Sequence, residues 1–131
     1  MRQWALGLAA LSVALAWPAA ADPVRTLLQR SELPATAQAA TLGHVLLKAG
    51  DPPAWHTHAG IETGYILTGR TLLSIAGRPD VTLGPGQTFL VPRGIAHAAR
   101  AVGGDATLVA IWVIDTGAPL ATPTAVPYAA R

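Results

Sequence analysis

The chain contains no cysteine and few charged side chains. Of its 131 residues, 12% are charged and 51% are hydrophobic, which excludes a disordered chain. Without cysteine there is no disulfide framework, and any metal site has to be built from histidine and carboxylate instead of thiolate. A domain of this size must therefore be held together by its hydrophobic core.

A cluster of basic residues is also absent, and the formal net charge is only +2. This composition argues against nucleic acid and against an anionic membrane surface as partners. Acyl transfer and phosphate binding lack support as well. Ser31 and Ser74 have none of the flanking glycines of a nucleophile elbow, and Gly84-Pro85-Gly86 is not followed by Gly-Lys-Ser/Thr.

The first 21 residues have the order of a secretory signal peptide. Arg2 precedes an uncharged apolar stretch that ends with Pro18 and three small residues, Ala19-Ala20-Ala21. We expect cleavage after Ala21 and export to the periplasm, which leaves a single domain over residues 22–131 without stable membrane association. An uncleaved anchor is the alternative, because an apolar run of about 18 residues reaches the lower limit for a membrane span.

From residue 22 onward, short apolar runs alternate with turn residues. Runs rich in Val, Ile, Leu and Thr predict strands at 25–29, 41–49, 54–58, 63–67, 71–76, 81–83, 88–91, 97–102 and 107–114. Pro85-Gly86 suits the central positions of a type II turn. Residues 30–40 offer a helical turn that Pro34 disfavours, and 115–131 predict an extended proline-containing tail, either loose or laid over a neighbouring surface. The pattern predicts an all-β sandwich or barrel.

Four residues have the types and spacing of a metal site. His56 and His58 lie two positions apart, so on a strand they point to the same face. Glu62 follows a bend at Ala59-Gly60, and His97 comes from a different part of the sheet. Taken singly, such residues more often face solvent. The glycines and the proline around the four residues argue against this solvent-facing interpretation.

The combined pattern resembles the two sequence motifs of the cupin superfamily. The positions that carry the first motif are Gly50, His56, His58, Glu62 and Gly69, and those of the second are Gly86, Pro92, Gly94 and His97. One position departs, because Ala101 stands where the family usually has Asn. The resemblance implies an antiparallel, cupin-type double-stranded β-helix, or jelly-roll barrel. It also implies one divalent metal ion on His56, His58, Glu62 and His97.

The ligand set leaves the identity of the metal open. Three imidazoles and one carboxylate suit Mn, Fe, Co, Ni, Cu or Zn. These ligands would close a four-coordinate Zn, whereas a six-coordinate ion would keep two positions for water or substrate. The resemblance implies a metal-dependent enzyme of dioxygenase, lyase, decarboxylase or isomerase type that acts on a small oxygen-bearing molecule. The alternative is a periplasmic cupin that binds a metal or a small ligand without turnover.

Three further residues are candidates for supporting the ligands or the substrate: His44, Tyr65 and Arg93. His44 shares a strand face with Leu42 and Leu46, where an ordinary half-buried histidine is the alternative interpretation. Tyr65 has packing between sheets or subunits as its ordinary role.

The surroundings of the site are expected to be apolar. The candidate lining residues are Ile66, Leu73, Phe89, Val91 and Ile111. Arg70, Arg93 and Arg100 are candidates for contact with an anionic substrate, although a solvated surface role is more common for arginine. A homodimer is also expected, because small cupins commonly pair and edge strands can bind a partner's sheet.

Overall fold

The computed structural model describes residues 22–127, so the predicted signal segment and residues 128–131 lie outside the described part. Within that part the chain forms strands and no helix, and it therefore offers no helix able to cross a membrane. The strands are β1 (Val24–Glu32), β2 (Gln38–Leu47), β3 (His56–Thr57), β4 (Gly60–Thr68), β5 (Thr71–Ile75), β6 (Val81–Leu83), β7 (Thr88–Val91), β8 (His97–Ala101), β9 (Ala106–Asp115) and β10 (Thr122–Pro123).

The strands form two five-stranded antiparallel sheets whose inner faces pack against each other. Sheet A has the order β1-β2-β9-β4-β7, and sheet B has the order β10-β3-β8-β5-β6. Consecutive strands repeatedly change sheets, which gives the double-stranded β-helix that the motifs predicted. The all-β, antiparallel fold class is confirmed.

The centre of sheet A follows directly from the alternation of side chains along β2 and β9. Every second residue of β2 from Thr41 to Leu47 is buried, and β9 repeats this pattern from Ala106 to Ile114. Trp112, the largest fully buried side chain, lies in the middle of β9. Because successive side chains point to opposite faces, these residues form one wall of the core.

The nine predicted strands are all present, with ends that differ by a few residues. The type II turn at Pro85-Gly86 is confirmed, since Gly86 has a φ of +85° and the amide of Gln87 donates to the carbonyl of Gly84 over 3.1 Å. Residues 33–37 form a turn between β1 and β2 instead of a helical turn, because strand pairing continues almost to this bend.

The C-terminal tail lies over sheet B, which is one of the two courses expected for it. Its strand β10 pairs with β3, where Thr122 faces Thr57 and Pro123 faces His56. The amide of Thr124 donates to the carbonyl of Trp55 over 2.9 Å. The tail therefore covers the strand that carries the first predicted metal ligand.

Candidate metal centre

The structure brings the four predicted ligands together between the two sheets. His56 belongs to β3 and faces His97 of β8 across the ladder, while His58 lies one residue beyond β3. Glu62 comes from β4 in the opposite sheet. One ligand atom from each of the four residues lies within 4.8 Å of the others, and all four side chains are buried. Both sheets thus contribute to one cluster.

Gly60 sets the path of the chain between His58 and Glu62. A Cβ at this position would lie 1.9 Å from the carbonyl oxygen of Val113 and 2.6 Å from the Cα of Ile114. Only glycine therefore allows β4 to start this close to β9. This close approach lets the chain leave sheet B after His58 and present Glu62 from sheet A.

Each histidine of the cluster is anchored through its Nδ1 atom to a backbone carbonyl. Nδ1 of His56 lies 2.8 Å from the carbonyl oxygen of Ala54, and Nδ1 of His97 lies 3.0 Å from that of Ile95. Nδ1 of His58 contacts the carbonyl of Leu120 in the tail. A carbonyl accepts only, so Nδ1 must carry the proton and donate it. In the neutral ring, Nε2 then keeps its lone pair for a metal.

The Nε2 atoms of two histidines converge on one carboxylate oxygen. Oε2 of Glu62 lies 2.8 Å from Nε2 of His58 and 2.9 Å from Nε2 of His97. A lone pair on each nitrogen would repel the carboxylate, so this arrangement requires protons or a cation between them. The donor set therefore fits a cation that replaces those protons.

Burial and the neighbouring charges hold two of the groups in the state that binds a metal. Burial would raise the pKa of Glu62, but hydrogen bonds from His58 and His97 outweigh it and lower the pKa to about 2. Burial lowers the pKa of His56 to about 4, against the hydrogen bond to Ala54, and the charges of His97, His58 and Arg25 lower it further. At neutral pH, Glu62 is thus ionised and His56 is neutral.

The cluster has the dimensions and chemistry of a single metal site. Opposite ligands of a six-coordinate ion with bonds of about 2.1 Å lie about 4.2 Å apart, close to the 4.8 Å span of the four ligand atoms. Three neutral imidazoles and one carboxylate suit a divalent transition metal, and the predicted cofactor is supported at this level. This donor set does not distinguish among the candidate metals.

The three predicted supporting residues lie away from the cluster centre. His44 is half-buried on the outer face of sheet A, whereas its neighbours Gly43 and Val45 are buried on the inner face. His44 is thus an ordinary half-buried histidine, which was the alternative interpretation of the sequence. Tyr65 also points outward from β4, and its ring is about half exposed. Because alternate residues of a strand face opposite ways, neither side chain reaches the ligands.

Arg93 contacts the site only through the backbone. Its guanidinium donates to the carbonyl oxygen of Ala59 over 2.9 Å and forms an ion pair with Asp115. The ion pair raises the pKa of Arg93 and lowers that of Asp115. Arg93 therefore holds the bend that follows His58.

Two cavities lie beside the ligands. The inner cavity, of about 30 Å³, is lined by Pro23, Arg25, Val45, Leu47, His56, Glu62, Leu73, Phe89, His97, Ala99 and Leu108. The outer pocket, of about 420 Å³, is lined by Asp22, Arg25, Ala54, Trp55, His56, Leu120, Ala121, Pro123 and Thr124. The inner cavity is lined largely by apolar side chains, whereas the outer pocket has a mixed lining, and only Leu73 and Phe89 of the five predicted lining residues belong to either.

Several predicted contacts do not line these cavities. Leu73 and Phe89 do, but Ile111 points outward from β9 and is 41% exposed. The sequence predicted the alternation of β9 but not which of its two apolar faces lies inside. Ala101 lies at the opposite end of β8 from His97 and is absent from both linings.

Two groups near the cluster were not identified from the sequence. Arg25 lines both cavities, whereas Arg70, Arg93 and Arg100 line neither. The carbonyl of Leu120 orients His58 from a tail that carried no sequence signal for such a contact. The sequence placed Arg25 in a predicted strand, but it did not show on which face of that strand the side chain lies.

Known proteins are similar to this chain over parts of their length. An acireductone dioxygenase from Rhodopseudomonas palustris is 39% identical over 49 residues, which cover 35% of this chain and 30% of that protein. The DMSP lyase DddQ from Ruegeria pomeroyi is 27% identical, with a TM-score of 0.58 over 65% of this chain and 42% of that chain. The matches thus span less than half of each relative.

A protein from Klebsiella pneumoniae with a double-stranded β-helix domain matches more of the chain. It is 17% identical, with a TM-score of 0.63 over 83% of this chain and 90% of that chain, and this likeness concerns the fold alone. The family model for the cupin domain matches residues 43–114, which is more than half of the chain and includes all four predicted ligands. The chain therefore belongs to the cupin family.

Proposed function

We propose that this cupin is a metal-dependent enzyme acting on a small oxygen-bearing molecule. The observation that carries the proposal is the convergence of His56, His58, Glu62 and His97 in one buried cluster. Each imidazole is held through Nδ1 on a backbone carbonyl, which directs Nε2 into the cluster. Side chains fixed in this way are already arranged for a metal ion and need little reorganisation on binding.

The metal ligands and the cavity walls would each have a separate chemical role. A bound divalent ion would act as a Lewis acid that polarises a substrate oxygen. Glu62 neutralises part of its charge, and the histidines fix its position. The aliphatic walls of the inner cavity, among them Leu73 and Leu108, exclude bulk water and strengthen local electrostatic interactions. A six-coordinate ion with four protein ligands would keep two positions for the substrate or for a co-substrate.

Two relatives indicate the reaction classes to test first. The lyase and the dioxygenase are similar to parts of this chain, and both classes lie within the range that the ligand set allows. We therefore propose lyase or dioxygenase chemistry, with decarboxylation and isomerisation as further members of the range. DMSP and acireductone are the first compounds to assay.

A non-catalytic role as a metal- or ligand-binding protein is the second candidate. The observation that favours it is the size of the inner cavity, whose 30 Å³ accommodates about one or two water molecules. An ion enclosed by four ligands and packed walls would be bound without access for a substrate. Catalysis instead requires the substrate to approach from the outer pocket, which His56 also lines.

We also propose that the protein acts in the periplasm after cleavage behind Ala21. The support for this proposal is the order of residues in the first 21 positions. Sequencing the N-terminus of the protein recovered from a periplasmic fraction tests it. A mature chain starting at Asp22 is expected, and an intact Met1 in the membrane fraction would contradict it.

Metal analysis of the purified protein tests the function. The expected result is about one divalent ion per chain, which is lost when His56 and His58 are both replaced by alanine. His44→Ala is the matched control, because His44 lies on the outer face of sheet A and should leave the metal content unchanged. The loaded protein is then assayed with DMSP and acireductone. A wild-type protein that takes up no divalent ion would overturn the proposal, while tight metal binding without turnover of any small oxygen-bearing substrate would favour the second candidate.

A further inference from the structure

Arg25 differs from every other residue of its strand in the burial of its side chain. Eight of the nine residues of β1 are exposed, and Arg25 alone is half-buried. It pairs with Val45 of β2, which is 5% exposed and faces the core. Directly opposed residues of an antiparallel pair share a face, so the side chain of Arg25 is directed inward.

The inward side chain reaches the predicted metal site. Arg25 lines the inner cavity together with His56, Glu62 and His97, and it lines the outer pocket together with His56 and Trp55. It is the one lysine or arginine among the described residues that line these two cavities. A positively charged side chain that is half-buried beside aliphatic walls is costly to desolvate unless something pairs with it.

No carboxylate within residues 22–127 pairs with the Arg25 guanidinium at ion-pair distance. Asp22 lines the outer pocket as well, but it does not form such a pair. A divalent ion with Glu62 as its one charged ligand would retain a net charge of about +1. Arg25 adds a second positive charge beside the same two cavities, and this charge attracts an anion and disfavours a cation.

We propose that Arg25 binds the anionic group of the substrate, and that the substrate class is therefore small organic anions such as monocarboxylates. The inference deepens the proposed function and rests on it for the reacting end of the substrate, whereas the contact between Arg25 and the anion does not require the metal. The outer pocket of about 420 Å³ lies within the size range of small-molecule sites. The planar guanidinium suits bidentate binding of a carboxylate.

The test compares a carboxylate with its uncharged counterpart. Propionate and propionamide are titrated into the metal-free and the metal-loaded protein, and the indole N–H signal of Trp55 in the pocket wall is followed by NMR. Arg25→Gln should weaken propionate binding about tenfold, as expected for loss of a charge-assisted hydrogen bond. Arg25→Lys should restore part of it, and Arg78→Gln, in the exposed turn after β5, is the control. Propionamide affinity should stay the same in all variants.

The outcomes separate this inference from the proposed function. Equal propionate affinity in the wild type and in Arg25→Gln overturns the inference, as does the lack of any propionate response in both forms, even if the cluster binds metal. Propionate binding that depends on Arg25 in a protein that takes up no metal supports the inference and overturns the proposed function. Circular dichroism of each variant verifies that a loss of binding does not come from unfolding.

Discussion

Lowering the pH of the metal-free protein from 7 to 4.5 should reduce the free energy of unfolding by about 3 kcal/mol, because His56 is buried in its neutral form. Its pKa is about 4 in the folded protein, against an ordinary value of 6.5. The unfolded chain takes up a proton near pH 6.5 that the folded protein does not bind until about pH 4. Stability therefore falls as the pH falls through this range. Each pKa unit is worth about 1.4 kcal/mol, so the interval from 6.5 to 4.5 gives the stated loss.

Glu62 does not contribute to the change in the free energy of unfolding between pH 7 and 4.5. Its folded pKa of about 2 lies below the ordinary 4.5, so the stability it contributes is present above pH 4.5 and is lost only as the pH falls towards 2. The assay is urea unfolding in the presence of a chelator at several pH values between 7 and 4.5. A loss of about 3 kcal/mol corresponds to a melting temperature lower by on the order of 10 °C.

Replacement of His56 isolates its contribution. His56→Gln cannot take up the proton, so its stability should change little over the same pH range. His44→Gln is the matched control and should keep the wild-type dependence, because His44 lies on the opposite face of β2 from the cluster. A loss of the same size in His56→Gln would refute the reasoning, since the proton would then be taken up elsewhere.

Three further results are expected. Gly60→Ala should destabilise the protein by about 3 kcal/mol in denaturant unfolding, because the new Cβ would overlap the Val113 carbonyl. Gly104→Ala is the control and should be tolerated, because the space around Gly104 is open. Similar stabilities of both variants would contradict this. Removal of residues 119–131 deletes the Leu120 carbonyl that orients His58 and should weaken metal binding at least about tenfold in a chelator competition, and an unchanged affinity would argue against that role. Light scattering should find a homodimer at micromolar concentration, and a monomer throughout that range would exclude it.

The apolar outer face of sheet A supports the homodimer prediction. Ile61 and Leu90 are exposed there, and so is Ile111 of β9. The edge strand β1 is also exposed along nearly its whole length. Exposed apolar faces and long edge strands of this kind are covered by a partner in many oligomers, and a second copy of this chain would supply the same surface.

The strands could be predicted because their side chains alternate and because glycine and proline separate them. β10 could not, since a two-residue strand that contains Pro123 has no period of its own. Its existence depends on pairing with β3, a contact between distant parts of the chain. Tertiary contacts of this kind decide short strands, whereas local pattern decides long ones.

The ligands could be predicted from spacing, but their surroundings could not. β2 and β9 carry apolar residues on both faces, so the sequence did not reveal that Ile111 faces outward. β1 presents the opposite difficulty, because almost all of it is exposed and no alternation marks Arg25 as inward. Which face is buried depends on the packing of the sheets, and this packing requires the whole fold.

The position of Leu120 in the chain has a consequence for biogenesis. A polypeptide that emerges N-terminus first exposes His56, His58, Glu62 and His97 well before the segment that fixes the ring of His58. Until that segment has docked, the ring of His58 lacks the backbone carbonyl that orients it in the folded protein. We therefore expect firm binding of an ion only after the final strand has docked, so that a nascent chain stalled short of residue 120 binds metals weakly.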